Sequence, residues 1–154
     1  MKSSTIIEMK SLYPEEELRG RPVFTTDIKV RWEEMDVNGH INYASYMDYY
    51  SEARIEAVGQ EVFRELRGQG IGPAIYKADV DYVKELFHPD TVHIVTWMDE
   101  MISKTRVAIR QNMYSLESRE LISKAKFNAI FMDLKKRKPV RMPDELKRKF
   151  GISG

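Results

Sequence analysis

The sequence predicts an α+β fold, in which one antiparallel sheet of about five strands wraps around a single long central helix. A run of β-branched and aromatic residues, VFTTDIKVRW, is typical of a strand near the start of the chain. A helical hydrophobic period follows it, and the second half of the chain then changes to strand-like alternation. These observations together favour one helix packed across one sheet, since each has a single apolar face to bury.

The first strand is predicted from Val23 to Trp32, ahead of the polar turn DVNGHIN. The central helix then begins near Tyr43 and ends near Gly59, where we expect a left-handed glycine just past its last turn. A shorter helix, EVFRELRGQG, follows and ends at Gly68 and Gly70. The buried stripe of the central helix is predicted to comprise Tyr43, Tyr46, Met47, Tyr50, Ala53, Arg54 and Ala57.

Alternating apolar residues predict further strands over 74–85, 91–101, 103–114 and 121–133. The short turns between them predict a meander, in which each strand pairs with the next one along the chain. Such a sheet has long edge strands, and pairing between copies would cover them. We therefore expect a homodimer or a dimer of dimers, with Gly39 close to the partner subunit. Residues 1–20 are interpreted as an N-terminal arm and residues 21–154 as one domain.

Composition excludes several classes of function. The 154 residues contain no cysteine, which removes disulfides, thiolate nucleophiles and cysteine-based zinc sites. The three histidines lack the spacing of a metal site, so neither a metal nor an organic cofactor is expected. A net charge of +1 argues against a general nucleic-acid binder. Without a long apolar run or a secretory leader, the sequence predicts a cytoplasmic protein that does not insert into membranes.

The segment DVNGHINY, residues 36–43, carries the densest group of chemically active side chains. A carboxylate, two amides and an imidazole surround Gly39, where the chain must change direction before the central helix. The first N–H groups of that helix lack intrahelical partners and attract negative charge. Asp36 is therefore interpreted as a base or nucleophile that faces an oxyanion site. The alternative is a turn or capping aspartate, as Asn42 is expected to be a helix cap.

The block from Arg31 to Glu56, RWEEMDVNGHINYASYMDYYSEARIE, resembles the hotdog-fold acyl-CoA thioesterases of the 4-hydroxybenzoyl-CoA thioesterase class, which include the YbgC-like enzymes. It is also similar to the catalytic segment of acyl-ACP thioesterases, whose Asn-x-His pair matches Asn38 and His40. The chain has the length of one hotdog domain and no cysteine to complete an Asn-His-Cys arrangement. The bulky Met35 departs from the small residue of many YbgC-like members, which leaves the acyl preference open.

The resemblance implies a hotdog fold and the hydrolysis of acyl-CoA without a metal or cofactor. Asp36 would act as nucleophile or general base, and the backbone N–H of Tyr43 would receive the oxyanion. Gly39 would allow close approach of the substrate. His40 would polarise the thioester carbonyl or orient water, with Asn38 holding its tautomer, or would only shape the loop.

The resemblance also suggests where the substrate binds. Tyr46 would line an acyl tunnel, and Lys104, Arg106 and Arg110 would contact CoA at the dimer edge, unless they are ordinary solvent-facing residues. Two alternatives to an acyl-CoA thioesterase stay open at this point. One is an acyl-ACP thioesterase that uses Asn38 and His40, and the other is a hotdog protein that binds acyl thioesters without cleaving them.

Overall fold

The computed structural model describes Leu18 and residues 20–152, so the predicted arm lies almost wholly outside the described residues. Between residues 20 and 152 the chain forms one sheet, three α-helices and a short 3-10 turn at Trp32–Glu34. The strands are β1 (Phe24–Lys29), β2 (Ile71–Tyr82), β3 (Thr91–Met101), β4 (Arg106–Ser115), β5 (Leu121–Asp133) and β6 (Lys138–Pro139). The helices are α1 (Tyr43–Val58), α2 (Gln60–Gly68) and α3 (Asp144–Lys149).

The strand order is β1-β3-β4-β5-β2, with β6 also paired to β5, and every pairing is antiparallel. The predicted four-strand meander is therefore wrong at β2, which pairs with β5 rather than with β3. After β2 the chain crosses the end of the sheet, where the N–H groups of Val83 and Lys84 donate to Ile122 O. Asp90 O then accepts from Val30 N beside β1. Because the chain crosses there, β1 rather than β2 pairs with the edge of β3 that β4 does not occupy.

Helix α1 lies across one face of the sheet and supplies much of the core. Tyr46, Tyr50 and Ala53 are at most 1% exposed, and the Tyr50 ring meets the Phe127 ring of β5 at 5.5 Å. Burying a large apolar side chain contributes about 1.5 to 3 kcal/mol, so this stripe holds the helix in place. The predicted stripe is confirmed at those positions and at Ala57, whereas Tyr43 is 65% exposed.

The edge strand β2 does not follow its predicted alternation. A register shift between Ile75 and Lys77 interrupts its pairing with β5, so the side chains before and after the shift do not share one face. Most of the strand is exposed in a single copy of the chain, including the apolar side chains of Ile75, Tyr76 and Tyr82. An exposed edge strand of 12 residues is long, and proteins usually cover or pair such an edge.

Lys149, which is distant in sequence, caps the C-terminal end of α1. Gly59 follows the helix with φ 96° and ψ 138°, so its φ is positive as predicted but it is not in the left-handed helical conformation. Lys149 Nζ donates to Val58 O at 2.6 Å. A cation at a helix C-terminus satisfies an unpaired carbonyl and the negative end of the helix dipole. Helix α3 is thereby tied to the end of α1.

Replacing Lys149 with Met should lower the free energy of unfolding by about 1 kcal/mol, because the Val58 carbonyl loses a charged donor. Urea denaturation followed by circular dichroism measures the change. Arg148→Met is the matched control, since Arg148 is an exposed cation on the same helix. Equal losses in the two variants would contradict a specific contact between Lys149 and α1.

Candidate active site

The loop before α1 is folded around the Asp36 carboxylate. Its Oδ1 accepts the backbone N–H groups of Asn38 at 2.8 Å and His40 at 3.2 Å, while Asp36 N donates to His40 O at 2.7 Å. Gly39 takes a φ of 81°, which L residues rarely adopt, so this tight turn needs the glycine. The other carboxylate oxygen, Oδ2, accepts no hydrogen bond from the residues that the structure describes. It is free to meet water or a ligand.

A second set of hydrogen bonds joins the loop to the helix. The Asn42 side chain caps α1 by accepting from Ser45 N at 2.9 Å, and it donates to Glu34 O at 2.8 Å. The Glu34 carboxylate accepts from the hydroxyl of Tyr49 at 2.6 Å and from Arg31 N at 2.8 Å. Burial and the contact with Glu34 both raise the pKa of Tyr49, so its hydroxyl keeps its proton and remains a donor. These hydrogen bonds thus join the loop both to α1 and to the residues that precede the loop.

The start of α1 offers an unpaired donor beside this loop. Tyr43 is the first residue of the helix, and its backbone N–H donates to no acceptor among residues 20–152. Asp36 and Tyr43 line the same cavity, which has a volume of about 640 Å³. A free N–H at a helix N-terminus stabilises a developing negative charge. The cavity is therefore lined by a residue that carries a carboxylate and by the first residue of α1, whose backbone N–H is unpaired among the described residues.

Aromatic rings form one wall of the Asp36 cavity. The Tyr82 ring lies 4.4 Å from Tyr43 and 5.2 Å from Tyr46, measured between ring centroids. Burial raises the pKa of the Tyr46 hydroxyl to about 12, while a hydrogen bond with the Leu86 backbone acts in the opposite direction. Tyr46 therefore stays neutral at physiological pH and presents an apolar ring with a polar tip to the cavity.

His40 lines the cavity with Asp36, but Asn38 does not. The His40 Nε2 lies 3.7 Å from Glu85 Oε2, and its ring meets the Phe87 ring edge-on at 5.0 Å. The Asn38 side chain is exposed and makes no hydrogen bond to His40 within the described part of the chain. Glu85 was missed by the sequence analysis, because its position depends on the crossing segment between β2 and β3.

The three basic residues predicted to bind CoA lie elsewhere on the protomer. Lys104 is in the turn between β3 and β4, and the Arg106 guanidinium lies 5.0 Å from the centroid of the Tyr76 ring. Arg110 Nε pairs with Asp99 Oδ2 at 2.9 Å. None of the three lines the Asp36 cavity of the same protomer. Their role in CoA binding stays a prediction.

The charge around the cavity is mostly negative. Besides Asp36, its walls carry four further carboxylates, from Glu85, Asp90, Glu117 and Glu120. Lys84 is the one lysine among the described residues of this wall, and its Nζ pairs with Glu120 Oε1 at 2.5 Å. Such a field disfavours phosphate groups inside the cavity and suits an uncharged ligand segment. Among the described residues, no group of three potential metal ligands is present, and no helix is long and apolar enough to cross a membrane.

Comparison with known proteins places these features in a family. A family model described as the thioesterase-like superfamily matches residues 30–150, which include the Asp36 loop, α1 and most of the sheet. The chain belongs to the thioesterase-like superfamily. This membership confirms the predicted resemblance to hotdog thioesterases and, with it, the hotdog fold.

Individual relatives of this thioesterase-like protein carry thioesterase names. The long-chain acyl-CoA thioesterase FadM of Escherichia coli is 25% identical over 80% of this chain and 94% of its own length. The acyl-CoA thioester hydrolase YbgC of Escherichia coli is 25% identical over 83% of this chain and 96% of its own. The solved DHNA-CoA thioesterase of Staphylococcus aureus superposes with a TM-score of 0.70 at 26% identity, covering 84% of each chain.

Asn42→Ala should lower the free energy of unfolding by about 1 kcal/mol, because Ser45 N loses its cap. Asn42→Ser is the matched variant, since its hydroxyl can still cap the helix although the bond to Glu34 O is lost. Urea denaturation should therefore rank the wild type above Asn42→Ser and Asn42→Ala last. If the serine and alanine variants unfold at the same urea concentration, the cap does not hold this end of the helix.

Proposed function

We propose that this thioesterase-like protein hydrolyses acyl-CoA thioesters to the free acid and CoA in the Asp36 cavity. The observation that carries the proposal is that one cavity is lined both by Asp36, whose Oδ2 accepts no hydrogen bond from the described residues, and by Tyr43, whose backbone N–H is unpaired among them. FadM, YbgC and the DHNA-CoA thioesterase, at 25 to 26% identity, support the same class of reaction.

The carboxylate and the N–H group suit the successive steps of thioester hydrolysis. As general base, Asp36 takes a proton from a water molecule while the water oxygen attacks the thioester carbonyl carbon. The carbonyl oxygen becomes an oxyanion and accepts a hydrogen bond from the Tyr43 N–H. When the tetrahedral intermediate collapses, the carbon–sulfur bond breaks, the acid is released and the CoA thiolate takes up the proton. A thiolate leaves readily, since thiols are fairly acidic.

Asp36 can also act as the nucleophile, through the same free oxygen. Its Oδ2 would attack the carbonyl carbon and form a mixed anhydride, which water then hydrolyses. A single turnover in ¹⁸O-labelled water tests the nucleophilic role, since only that route can place the label on Asp36. General-base catalysis places the label directly in the released acid, whereas attack of water on the aspartyl carbon of the anhydride leaves the label on Asp36.

Other residues around Asp36 are suited to positioning the substrate, whether Asp36 acts as general base or as nucleophile. Gly39 provides the positive φ of the turn, and no described atom beyond its chain neighbours lies within 4 Å of the position that a Cβ would occupy, so a ligand has space to approach there. His40 lines the cavity beside Asp36 and can orient the water or the carbonyl group. The aromatic wall of Tyr43, Tyr46 and Tyr82 suits an acyl chain or an aromatic acyl group.

The acidic wall indicates how a CoA thioester would lie. The uncharged acyl and pantetheine segments fit the Asp36 cavity, and the phosphates would stay outside it. We propose that basic residues at the edge of a partner subunit receive those phosphates, with Lys104, Arg106 and Arg110 as the candidates. This arrangement needs a second copy of the chain beside the cavity.

The long exposed strand β2 supports such a dimer. Its free edge offers unpaired backbone donors and acceptors to a second copy, and its exposed Ile75, Tyr76 and Tyr82 add apolar area. Tyr82 also lines the Asp36 cavity, so a partner paired along β2 would lie beside the reacting groups.

Asp36→Asn should lower the rate of thioester hydrolysis by about 100-fold to 10,000-fold, because the amide can neither accept the proton nor attack the carbonyl. Release of free thiol from short, medium, long and aromatic acyl-CoAs measures the rate. Asp48→Asn is the matched control, since Asp48 is an exposed aspartate of α1 that does not line the cavity. It should retain wild-type turnover.

Unchanged turnover in Asp36→Asn would remove Asp36 from the mechanism. A parallel assay on acyl-ACP substrates tests the carrier, and turnover of acyl-ACP alone would contradict the CoA proposal. If no thioester is cleaved although acyl-CoA binds, the protein is a binding module instead.

The proposed dimer predicts twice the mass of one 18.1 kDa chain, or a multiple of that dimer, in light scattering at micromolar concentration. Pairing of the β2 edges is the physical reason for the association. The mass of a single chain that persists at that concentration would contradict it.

A further inference from the structure

A second cavity lies toward the other end of α1. It has a volume of about 640 Å³ and is lined by the C-terminal half of α1, by α2 and by the start of β2, among other residues. It shares no lining residue with the Asp36 cavity. Arg54, which lines it, is about 16 Å from Tyr43 along the helix axis at 1.5 Å per residue. Both cavities fall within the usual size of ligand sites.

The walls of this second cavity are apolar, and its charge has one sign. The apolar lining includes Ile55, Val58, Phe63, Ile75, Phe131 and Leu134. Its charged lining residues are three arginines, Arg54, Arg64 and Arg67, and no carboxylate is among the described residues that line it. Arg64 and Arg67 are exposed, whereas Arg54 is half-buried. A cavity with this composition fits a ligand that joins an apolar chain to an anionic group.

Arg54 is the partly buried charge of this cavity, and an anionic ligand would balance it. Burial lowers the pKa of its guanidinium to about 10, so it remains charged at neutral pH. Within the described part of the chain its side chain makes one hydrogen bond, from Nη1 to Gln111 Oε1 at 2.9 Å, and its Cζ lies 4.2 Å from the centroid of the Phe127 ring. No carboxylate of the described residues forms an ion pair with it. A partly buried charge without a counter-ion is costly.

The guanidinium is also held in position. The Gln111 side-chain amide donates to Tyr50 O and to Thr96 Oγ1, both at 3.0 Å, which turns its Oε1 toward Arg54. Gln111 is fully buried, so this orientation is fixed by the core. Arginine offers five N–H donors in a planar fork that matches a carboxylate. One of them donates to Gln111, and the others donate to no acceptor among the described residues.

We propose that this second cavity is a binding site for a free aliphatic carboxylate, with the carboxylate on Arg54 and the alkyl chain along the apolar wall. Arg64 and Arg67 attract the anion from the rim. Within one protomer the site shares no lining residue with the Asp36 cavity, so binding of its ligand is measured independently of thioester hydrolysis.

Isothermal titration calorimetry on the full chain, with decanoate, decanol and decylamine below their aggregation concentrations, tests the site. Decanoate should bind at least tenfold more tightly than decanol, and decylamine, a cation at neutral pH, should bind more weakly still. Because a hydrogen bond to a charged group contributes about 1.5 to 3 kcal/mol, Arg54→Met should weaken decanoate binding roughly tenfold to a hundredfold. Decanol binding should change little.

Two variants serve as controls. Arg106→Met removes another guanidinium that stacks on an aromatic ring, at a place outside the cavity, and should leave decanoate affinity unchanged. Asp36→Asn should also bind decanoate as the wild type does. Because binding is measured and not turnover, an inactive protein that binds decanoate would refute the proposed hydrolysis alone.

Several outcomes would overturn the proposal. They are equal affinity for decanoate and decanol, no effect of Arg54→Met in a folded variant, loss of decanoate binding in Asp36→Asn, or no binding of either ligand. The last result would mean that another occupant, such as a second copy of the chain, fills the cavity. If Arg54→Met does not fold, the comparison of the three ligands on the wild-type chain decides.

Discussion

The packing of α1 against one face of the sheet is the constraint on which the remaining structure depends. Tyr46, Tyr50 and Ala53 are buried there, and the hydroxyl of Tyr50 donates to Ser123 Oγ at 2.7 Å, so the helix is held by apolar burial and by a buried hydrogen bond. Once the helix is fixed, the Tyr43 N–H points to one place. The loop that follows β1 leads into the start of this helix, where Asp36 and Tyr43 line one cavity.

The two ends of the central helix meet cavities of opposite charge. The cavity at the N-terminal end contains five carboxylates, while the other contains three arginines and no carboxylate among its described lining residues. The proposed reaction uses the first by admitting an uncharged part of the substrate beside Asp36. The second needs an anion to balance Arg54. One helix and one sheet thus form two cavities that differ in charge: the acidic cavity suits an uncharged ligand segment, and the arginine-lined cavity suits an anion.

Local patterns in the sequence predicted much of the fold, and long-range pairing accounts for what they missed. The alternation over 121–133 and the stripe through Tyr46 and Tyr50 identified β5 and α1, since each depends on the period of a single element. The pairing of β2 with β5 was not predictable, because alternation marks a strand but not its partner. The same limit explains why Glu85 beside His40 and the cavity around Arg54 were missed. The catalytic roles of Asp36 and Tyr43 remain predictions.

We propose that the thioester carbonyl lies between the Asp36 carboxylate and the Tyr43 N–H. A crystal structure with a non-hydrolysable acyl-CoA analogue, in which a methylene group replaces the thioester sulfur, tests it most directly. We expect the ketone oxygen about 2.7 to 3.1 Å from Tyr43 N, with Asp36 Oδ2 facing the carbonyl carbon either directly or through one water molecule. A carbonyl group bound in the arginine-lined cavity, or turned away from Tyr43 N, would contradict the account.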